Sequence, residues 1–321
     1  MHAVVLAAGR GTRLKPLTDG RSKAMLPVAG QPMIARVLEM LSHGGVGRFV
    51  VVVHPDDAPL IELLGGSEWA SRVDLAYQVR REGMAAALQC AVPFIQASGD
   101  GEFLLAACDN LYPEGHVSAL MAYRRFHALD AALTFLQVSR EQIPTLAVVA
   151  MDGQLVTSIV EKPRPEDAPS DLGVPSLYAL SNRILRHLPH VPVSSRGERE
   201  FPDVLRLAIE AGDRVGGLTV SQRMTLTRPA DLLALNIDRL RADSAAVGID
   251  IAFPEDVVIH HPVRVESGAE IGRGCQLGPD VYVETGGRIG PGARVRRTVI
   301  LRGAAIPAGA SVEDTVVSGT G

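Results

Sequence analysis

Between residues 259 and 301 the chain keeps a period that few folds can use. Ile259, Val265, Ile271, Leu277, Val283, Ile289, Val295 and Leu301 stand six residues apart. Four places after each comes Val263, Ala269, Cys275, Val281, Gly287, Ala293, Val299 and Ala305, nearly all small. Apolar residues spaced by chance drift out of register within a few periods, and these do not. The pattern is that of a hexapeptide repeat, in which a left-handed β-helix turns its three short faces on small residues. The spacing predicts such a coil over residues 248–321. Its expected role is oligomerisation, or a lid over the open end of the domain before it. Hexapeptide coils also occur in acyltransferases, and His260 and His261 could supply a base, but a histidine pair near the first turn reads better as a solvated corner.

Residues 1–247 follow a different pattern. Apolar runs at Ala3–Ala8, Phe49–His54, Val73–Val79 and Phe103–Cys108 read as buried strands. Amphipathic stretches at Met33–Leu41, Met84–Ile95 and Val117–Phe126 read as helices between them. This alternation predicts an α/β fold, a Rossmann-like three-layer sandwich on a mostly parallel mixed sheet. Ligands in that architecture bind beyond the carboxyl ends of the strands. Residues 131–180 are richer in strands, at Ala131–Val138, Leu146–Met151, Leu155–Val160 and Leu177–Leu180, and read as an insertion walling a second substrate. Helices at Phe201–Ala211 and Ala230–Arg241 flank a strand at Val215–Val220.

A chain of 321 residues has room for both domains. Its net charge of −4 disfavours a general nucleic-acid surface, so any anion site must be local. Cys90, Cys108 and Cys275 lie far apart without metal-ligand spacing and read as thiols of a reducing compartment. No secretory signal and no membrane-spanning run is evident, which predicts a cytoplasmic protein.

The first strand empties into Gly9-Arg10-Gly11-Thr12-Arg13-Leu14, and Lys23 follows within Ser22-Lys23-Ala24-Met25-Leu26-Pro27. A buried strand ending in a glycine-containing turn exposes backbone N–H donors that favour anions. Arg13 and Lys23 add the cations a polyphosphate needs. Such glycines also serve as plain tight turns. The third glycine of a dinucleotide fingerprint is replaced by Leu14, and no Gly-Lys-Ser/Thr closes a Walker loop.

The stretch from Leu6 to Ile34, LAAGRGTRLKPLTDGRSKAMLPVAGQPMI, resembles the opening of the sugar-1-phosphate nucleotidylyltransferases, the NDP-sugar pyrophosphorylases. The resemblance implies transfer of a nucleotidyl group from a nucleoside triphosphate to a sugar 1-phosphate. It implies that Leu6, Ala8, Gly9, Gly11 and Thr12 bind the nucleotide, that Arg13 offsets charge at the α-phosphorus, and that Lys23 bridges the phosphates of both reactants. Asp109, in Cys108-Asp109-Asn110, would hold Mg²⁺; Asn110 would touch the sugar. Gln78, five residues before Gly83, would read the base with Gly83 beside it. A carboxamide can donate to O4 and accept from N3–H of uracil or thymine, so UTP or dTTP is favoured over GTP; a solvent-facing Gln is the plainer alternative. Glu161-Lys162-Pro163 matches the sugar-phosphate motif, Lys162 on the phosphate and Glu161 on the hydroxyls. Tyr178 would lie near the sugar, or be ordinary core strand. The partners implied are these two substrates and further copies of the chain.

Three departures from the family pattern stand out. The Asp that completes the family's metal site is Thr225 here, and Asp231 reads as an early-helix charge instead. The family's Tyr-Gly-Val-Val is Leu146-Ala147-Val148-Val149, and an expected Gly before Leu177 is Ser176, preceded by Pro175. Two alternatives therefore stay open: a non-catalytic relative that binds nucleotide sugar, and a guanylyltransferase acting on mannose 1-phosphate or a related sugar.

Overall fold

The computed structural model of the chain describes residues 1–243 and 247–319. The positions just before the expected boundary at 247, residues 244–246, and the last two of the expected coil, Thr320 and Gly321, lie outside the described residues. The chain divides into two compact units, one of Met1–Gly9 with Val37–Arg223, the other of Arg10–Arg36 with Met224–Gly321.

The first unit is built on one ten-stranded sheet. Its strands are β1 (His2–Leu6), β2 (Arg48–Val53), β3 (Val73–Tyr77), β4 (Glu102–Ala107) and β5 (Ala131–Gln137), then β6 (Ala147–Asp152), β7 (Leu155–Glu161), β8 (Leu172–Val174), β9 (Leu177–Ser181) and β10 (Val215–Thr219). Their order is β7-β6-β8-β5-β9-β4-β1-β2-β3, with β10 also paired to β5. β1 runs parallel to β2 on one side and β4 on the other, and β3 continues the parallel set beyond β2. Only β7, β8 and β9 run against the rest. Helices cover the sheet: α1 (Met33–His43, from Val37 onward in this unit), α2 (Ala58–Gly66), α3 (Met84–Ala97), α4 (His116–Phe126) and α5 (Phe201–Glu210). Strands covered on both faces carry apolar residues at every position, and Val50–Val53 and Val4–Val5 have no exposed surface.

The strands of residues 131–180 do not stand apart as an insertion. β9 pairs β4 from Leu177↔Ala106 to Ser181↔Glu102, and β5 pairs β9 next to it, so they extend the main sheet. Strand β8, with Gly173 at its centre, was not anticipated; a Cβ there would meet Val138 Cγ1 at 2.9 Å.

In the second unit, short parallel strands pair at intervals of eighteen residues: Val258↔Gln276, Val263↔Val281 and Glu270↔Arg288. Val265, Leu277, Val283, Ile289 and Val295 meet in one apolar core. The leading strand pairs Gly248 with Arg264, only sixteen residues on, and the period then shortens by one residue at two successive coils, between Val295 and Thr298 and again between Val312 and Thr315. Val283 pairs with Ile300 and Ile289 with Ile306, seventeen residues on, so Ile300 rather than Leu301 continues the column. The cause is the corner between faces. Four residues separate Leu277 from Val281, but their partners Val295 and Thr298 are only three apart. The small-residue column shifts accordingly, to Thr298 and buried Ala304 in place of Val299 and exposed Ala305.

Residues 10–36 cluster with these coils and with α6 (Pro229–Ala242). Asn236 of α6, 1% exposed, accepts the Ala29 N–H at 2.7 Å and donates to the carbonyls of Pro27 (3.1 Å) and Leu232 (2.9 Å). Arg36 donates to the Val28 and Ala29 carbonyls and lies 3.6 Å from Asp243. Truncating Asn236 would leave a buried donor and a buried acceptor unpaired. Asn236→Ala should therefore cost about 2–6 kcal/mol, at about 1–3 kcal/mol for each orphaned group, read as a lowered urea midpoint. A loss under about 0.5 kcal/mol would show that the bonds do not hold this segment.

Candidate active site

The carboxyl ends of the parallel strands gather the first set of candidates. After β1, Ala7 N–H still bonds the Val52 carbonyl, and the Leu6 carbonyl accepts Cys108 N–H at 3.2 Å. Ala8 is buried while Gly9 is exposed, and a Cβ on Gly9 would meet none of the described residues within 4 Å. Asp109 leaves the sheet after β4, half-buried, one strand away from Leu6. Its Oδ1 accepts from Asn110 Nδ2 at 2.9 Å, and Asn110 Oδ1 accepts from Arg223 Nη1 at 3.1 Å. This relay aims the carboxylate. The same guanidinium opposes the effect of burial, which drives the Tyr112 phenol well above its ordinary pKa. Among the described residues the buried Tyr112 hydroxyl finds no hydrogen-bond partner.

Beyond β3, Gln78 N–H bonds the Val53 carbonyl and Gln78 Nε2 donates to the Gly83 carbonyl at 3.2 Å. Gln78 is 6% exposed, so the solvent-facing alternative is overturned: β2 and the Gly83 turn enclose it. Gly83 precedes α3 at φ 95°, and a Cβ there would lie 2.5 Å from the Arg199 carbonyl oxygen. The fold itself thus requires glycine at this place. Arg81, which the sequence reading passed over, donates from Nε to the Ala8 carbonyl at 2.7 Å and ties this turn to the first loop.

A second cluster forms at the end of β7. Lys162, at φ 46°, places Nζ 2.9 Å from Glu161 Oε1, and Arg196 approaches the same oxygen at 3.5 Å. Arg196 also pairs with Glu200 at 2.7 Å. Burial and the charge of Glu200 raise the nearby Glu198 carboxyl, against the pull of Lys162 and Arg196. Tyr178 is 2% exposed, its ring 4.7 Å from Phe201, so the bulk of the side chain is core. Burial first, then the Glu161 charge, pushes its phenol up, while a hydrogen bond with Ser176 acts the other way. Its polar end therefore lies within the field of the Glu161 cluster.

The second unit holds the rest of the signature loop. Gly11 adopts φ 63° and heads a short 3₁₀ turn, Thr12–Leu14. A Cβ on Gly11 would sit 3.1 Å from Lys23 Cβ and 3.2 Å from Thr18 Cγ2, while the Thr18 hydroxyl donates to the Gly11 carbonyl. Gly11 and Lys23 are thus packed together, with Lys23 half-buried at the start of the turn Lys23–Met25. Thr12 and Arg13 are exposed. Thr225 Oγ1 bonds the Thr227 hydroxyl at 3.1 Å. Asp231 stands in the first turn of α6, the early-helix charge its place in the sequence implied, and it also accepts the Thr227 and Arg228 N–H groups at 2.8 and 2.7 Å as part of the cap. His260 and His261 are both exposed.

Residues 2–223 match the nucleotidyl transferase family, and residues 259–320 match the GMPPB C-terminal domain. A UTP–glucose-1-phosphate uridylyltransferase of Haloferax volcanii is 30% identical over 72% of this chain and 93% of its own length. A glucose-1-phosphate thymidylyltransferase of Mycolicibacterium smegmatis is 31% identical over 80% of the chain and 88% of its own, and one of Streptomyces griseus is 28% identical over 99% and 85%. A solved UDP-glucose pyrophosphorylase in complex with UDP-glucose shares the fold, with a TM-score of 0.66 at 20% identity over 75% of this chain and 98% of that one. The family match spans the strand–loop opening, the Asp109 turn and the Lys162 turn, and on that ground the chain belongs to the nucleotidyl transferase family.

Proposed function

We propose that this protein transfers a nucleotidyl group from a nucleoside triphosphate to a sugar 1-phosphate, giving an NDP-sugar and pyrophosphate. The observation that carries this reading is the family match over residues 2–223, a span that contains Arg13, Lys23, Asp109 and Lys162. A phosphate oxygen of the sugar phosphate attacks the α-phosphorus, the bond to the β-phosphate breaks, and pyrophosphate leaves with the electron pair. The nucleophile is already anionic, so positioning and charge neutralisation suffice and no general base is needed.

The roles follow. Backbone amides from Gly9 to Thr12 hold the triphosphate, with Leu6 and Ala8 against the nucleoside. Arg13 offsets charge on the departing pyrophosphate, and Lys23 bridges the two reactants. Lys162 holds the sugar phosphate, and Glu161, Asn110 and Tyr178 meet the sugar. Gln78 gives one amide hydrogen to the Gly83 carbonyl and retains a second N–H and a carbonyl lone pair. That complement suits O4 and N3–H of uracil or thymine. Asp109, oriented through Asn110 and Arg223, fits Mg²⁺, a hard ion that takes one or two carboxylates and otherwise phosphate and water oxygens. Among the described residues no cluster of three His, Cys, Asp or Glu could hold a metal, and Asp109 is the side chain that would hold the ion. When bound, the ion neutralises phosphate charge.

The successive parallel registers, most of them eighteen or seventeen residues long, support a hexapeptide coil over residues 248–321, which we read as a left-handed β-helix serving oligomerisation or as a lid over the domain before it. Residues 1–247 form the catalytic domain in this reading. Among the described residues no helix is long and apolar enough to cross a membrane, and the three cysteines are free thiols, in keeping with a reducing cytoplasm. One observation favours the non-catalytic alternative: Thr225 presents a hydroxyl, bonded to Thr227, where the family has a metal-binding carboxylate.

Pyrophosphate release decides between them. With glucose 1-phosphate and related sugar phosphates, turnover should appear with dTTP or UTP, exceed that with GTP, and vanish on magnesium chelation. Nucleotide-sugar binding without turnover would establish the non-catalytic reading. Arg13→Ala should lower kcat by about 10²-fold or more with an unchanged Tm, since its side chain is exposed. The glycines should divide. Gly9→Ala should alter stability by less than about 0.5 kcal/mol yet weaken triphosphate binding, whereas Gly83→Ala should cost about 1–3 kcal/mol of folding stability.

A further inference from the structure

Within the second unit, one ion pair joins the signature segment to the coils. Arg21 stands two residues before Lys23. Its Nη1 donates to Glu284 Oε1 at 2.5 Å and its Nη2 to Glu284 Oε2 at 2.9 Å, a two-pronged fork. Glu284 follows the coil strand Val281–Val283 and is 5% exposed. Its Oε2 also accepts the Arg302 N–H at 2.8 Å, and its own N–H bonds the Ile300 carbonyl. The carboxylate is thus built into two successive coils, with no water shell to replace a missing partner. Arg21 is itself only 20% exposed. The backbone on its far side turns directly into Lys23–Met25, where Lys23 packs on Gly11. Ala29, bonded to Asn236, anchors the other end. Lys23 therefore sits on a short span tied down at both ends, and one tie is a coil side chain.

We propose that Glu284, through Arg21, is a positioning residue for triphosphate binding, so that the coils hold the geometry of Lys23 and Gly11. This rests on the reading of that loop as a triphosphate cradle. The contact is a paired, desolvated charge rather than a spread of surface contacts, so its loss acts at one point of the chain. A displacement of the order of an ångström at a charge-bridging lysine is enough to change catalysis by about 10–10²-fold. Reciprocity demands that bound triphosphate in turn stabilise the coils.

The test is a double-mutant cycle in the full-length protein with dTTP, UTP and glucose 1-phosphate. Glu284→Gln and Arg21→Gln should each raise KM for the triphosphate about tenfold or more, leave KM for the sugar phosphate within about twofold, and abolish most of the Tm rise that triphosphate produces. The double variant should be no worse than either single one, and Arg21→Lys should recover part of the loss. Additive effects, or equal rises in both KM values, would show a merely structural role and overturn the proposal. Should Glu284→Gln fail to fold, Arg21→Gln carries the same prediction, because Glu284 keeps its Arg302 contact. Absence of triphosphate binding by the unaltered protein would sink the cradle reading itself, an outcome separate from a variant that binds normally.

Discussion

β1 has hydrogen-bonded neighbours on both edges, and much else follows from that. Pairing with β2 and β4 in parallel consumes its backbone donors and acceptors and carries the order on to Ala7. The chain can leave the sheet only beyond that point, at Ala8 and Gly9. Because β4 and β3 run the same way, Asp109 and Gln78 leave at the same edge. A parallel sheet thereby gathers residues separated by as much as a hundred positions without any of them contacting another in sequence. Reversing one of these strands would send its candidate to the opposite edge.

In each unit, buried and half-buried carboxylates are met by polar partners. Asp109 is aimed through Asn110 by Arg223, Glu161 is shared by Lys162 and Arg196, and Glu284 is met by Arg21 and Arg302. Such groups are costly to bury alone and specific in direction once paired. Several of the partners are arginines, whose planar fork reaches a carboxylate or carbonyl with defined geometry. That is how a chain of modest net charge builds local cationic sites.

The two glycine classes show why a motif and a structure answer different questions. Gly11 and Gly83 have positive φ and a close neighbour where a Cβ would lie, so folding alone demands them. Gly9 has neither. Tyr178 divides within one side chain: the ring is core, while the hydroxyl end feels Ser176 and Glu161. Arg81, Arg223 and Arg21 escaped the sequence reading because nothing local distinguishes them from solvated arginines. Their partners, Ala8, Asn110 and Glu284, lie far away in the chain. Gln78, singled out through the family resemblance, proved enclosed.

Sequence by itself determined what depends on neighbours along the chain. The apolar runs of β1, β2 and β4, the glycine turn after β1, the early-helix charge of Asp231 and the six-residue period all express local geometry and side-chain chemistry. Tertiary structure alone decided which strands extend which edge, so that β5 and β9 joined the main sheet instead of standing apart. It also decided the one-residue slips of the last two coils, since a tighter corner is invisible while Leu301 still satisfies the period. Most of all it decided that residues 10–36 pack with the coils. The reason is physical: pairing between distant segments is chosen by where buried donors, charges and apolar faces find complements, and no short window of sequence contains both halves of that choice.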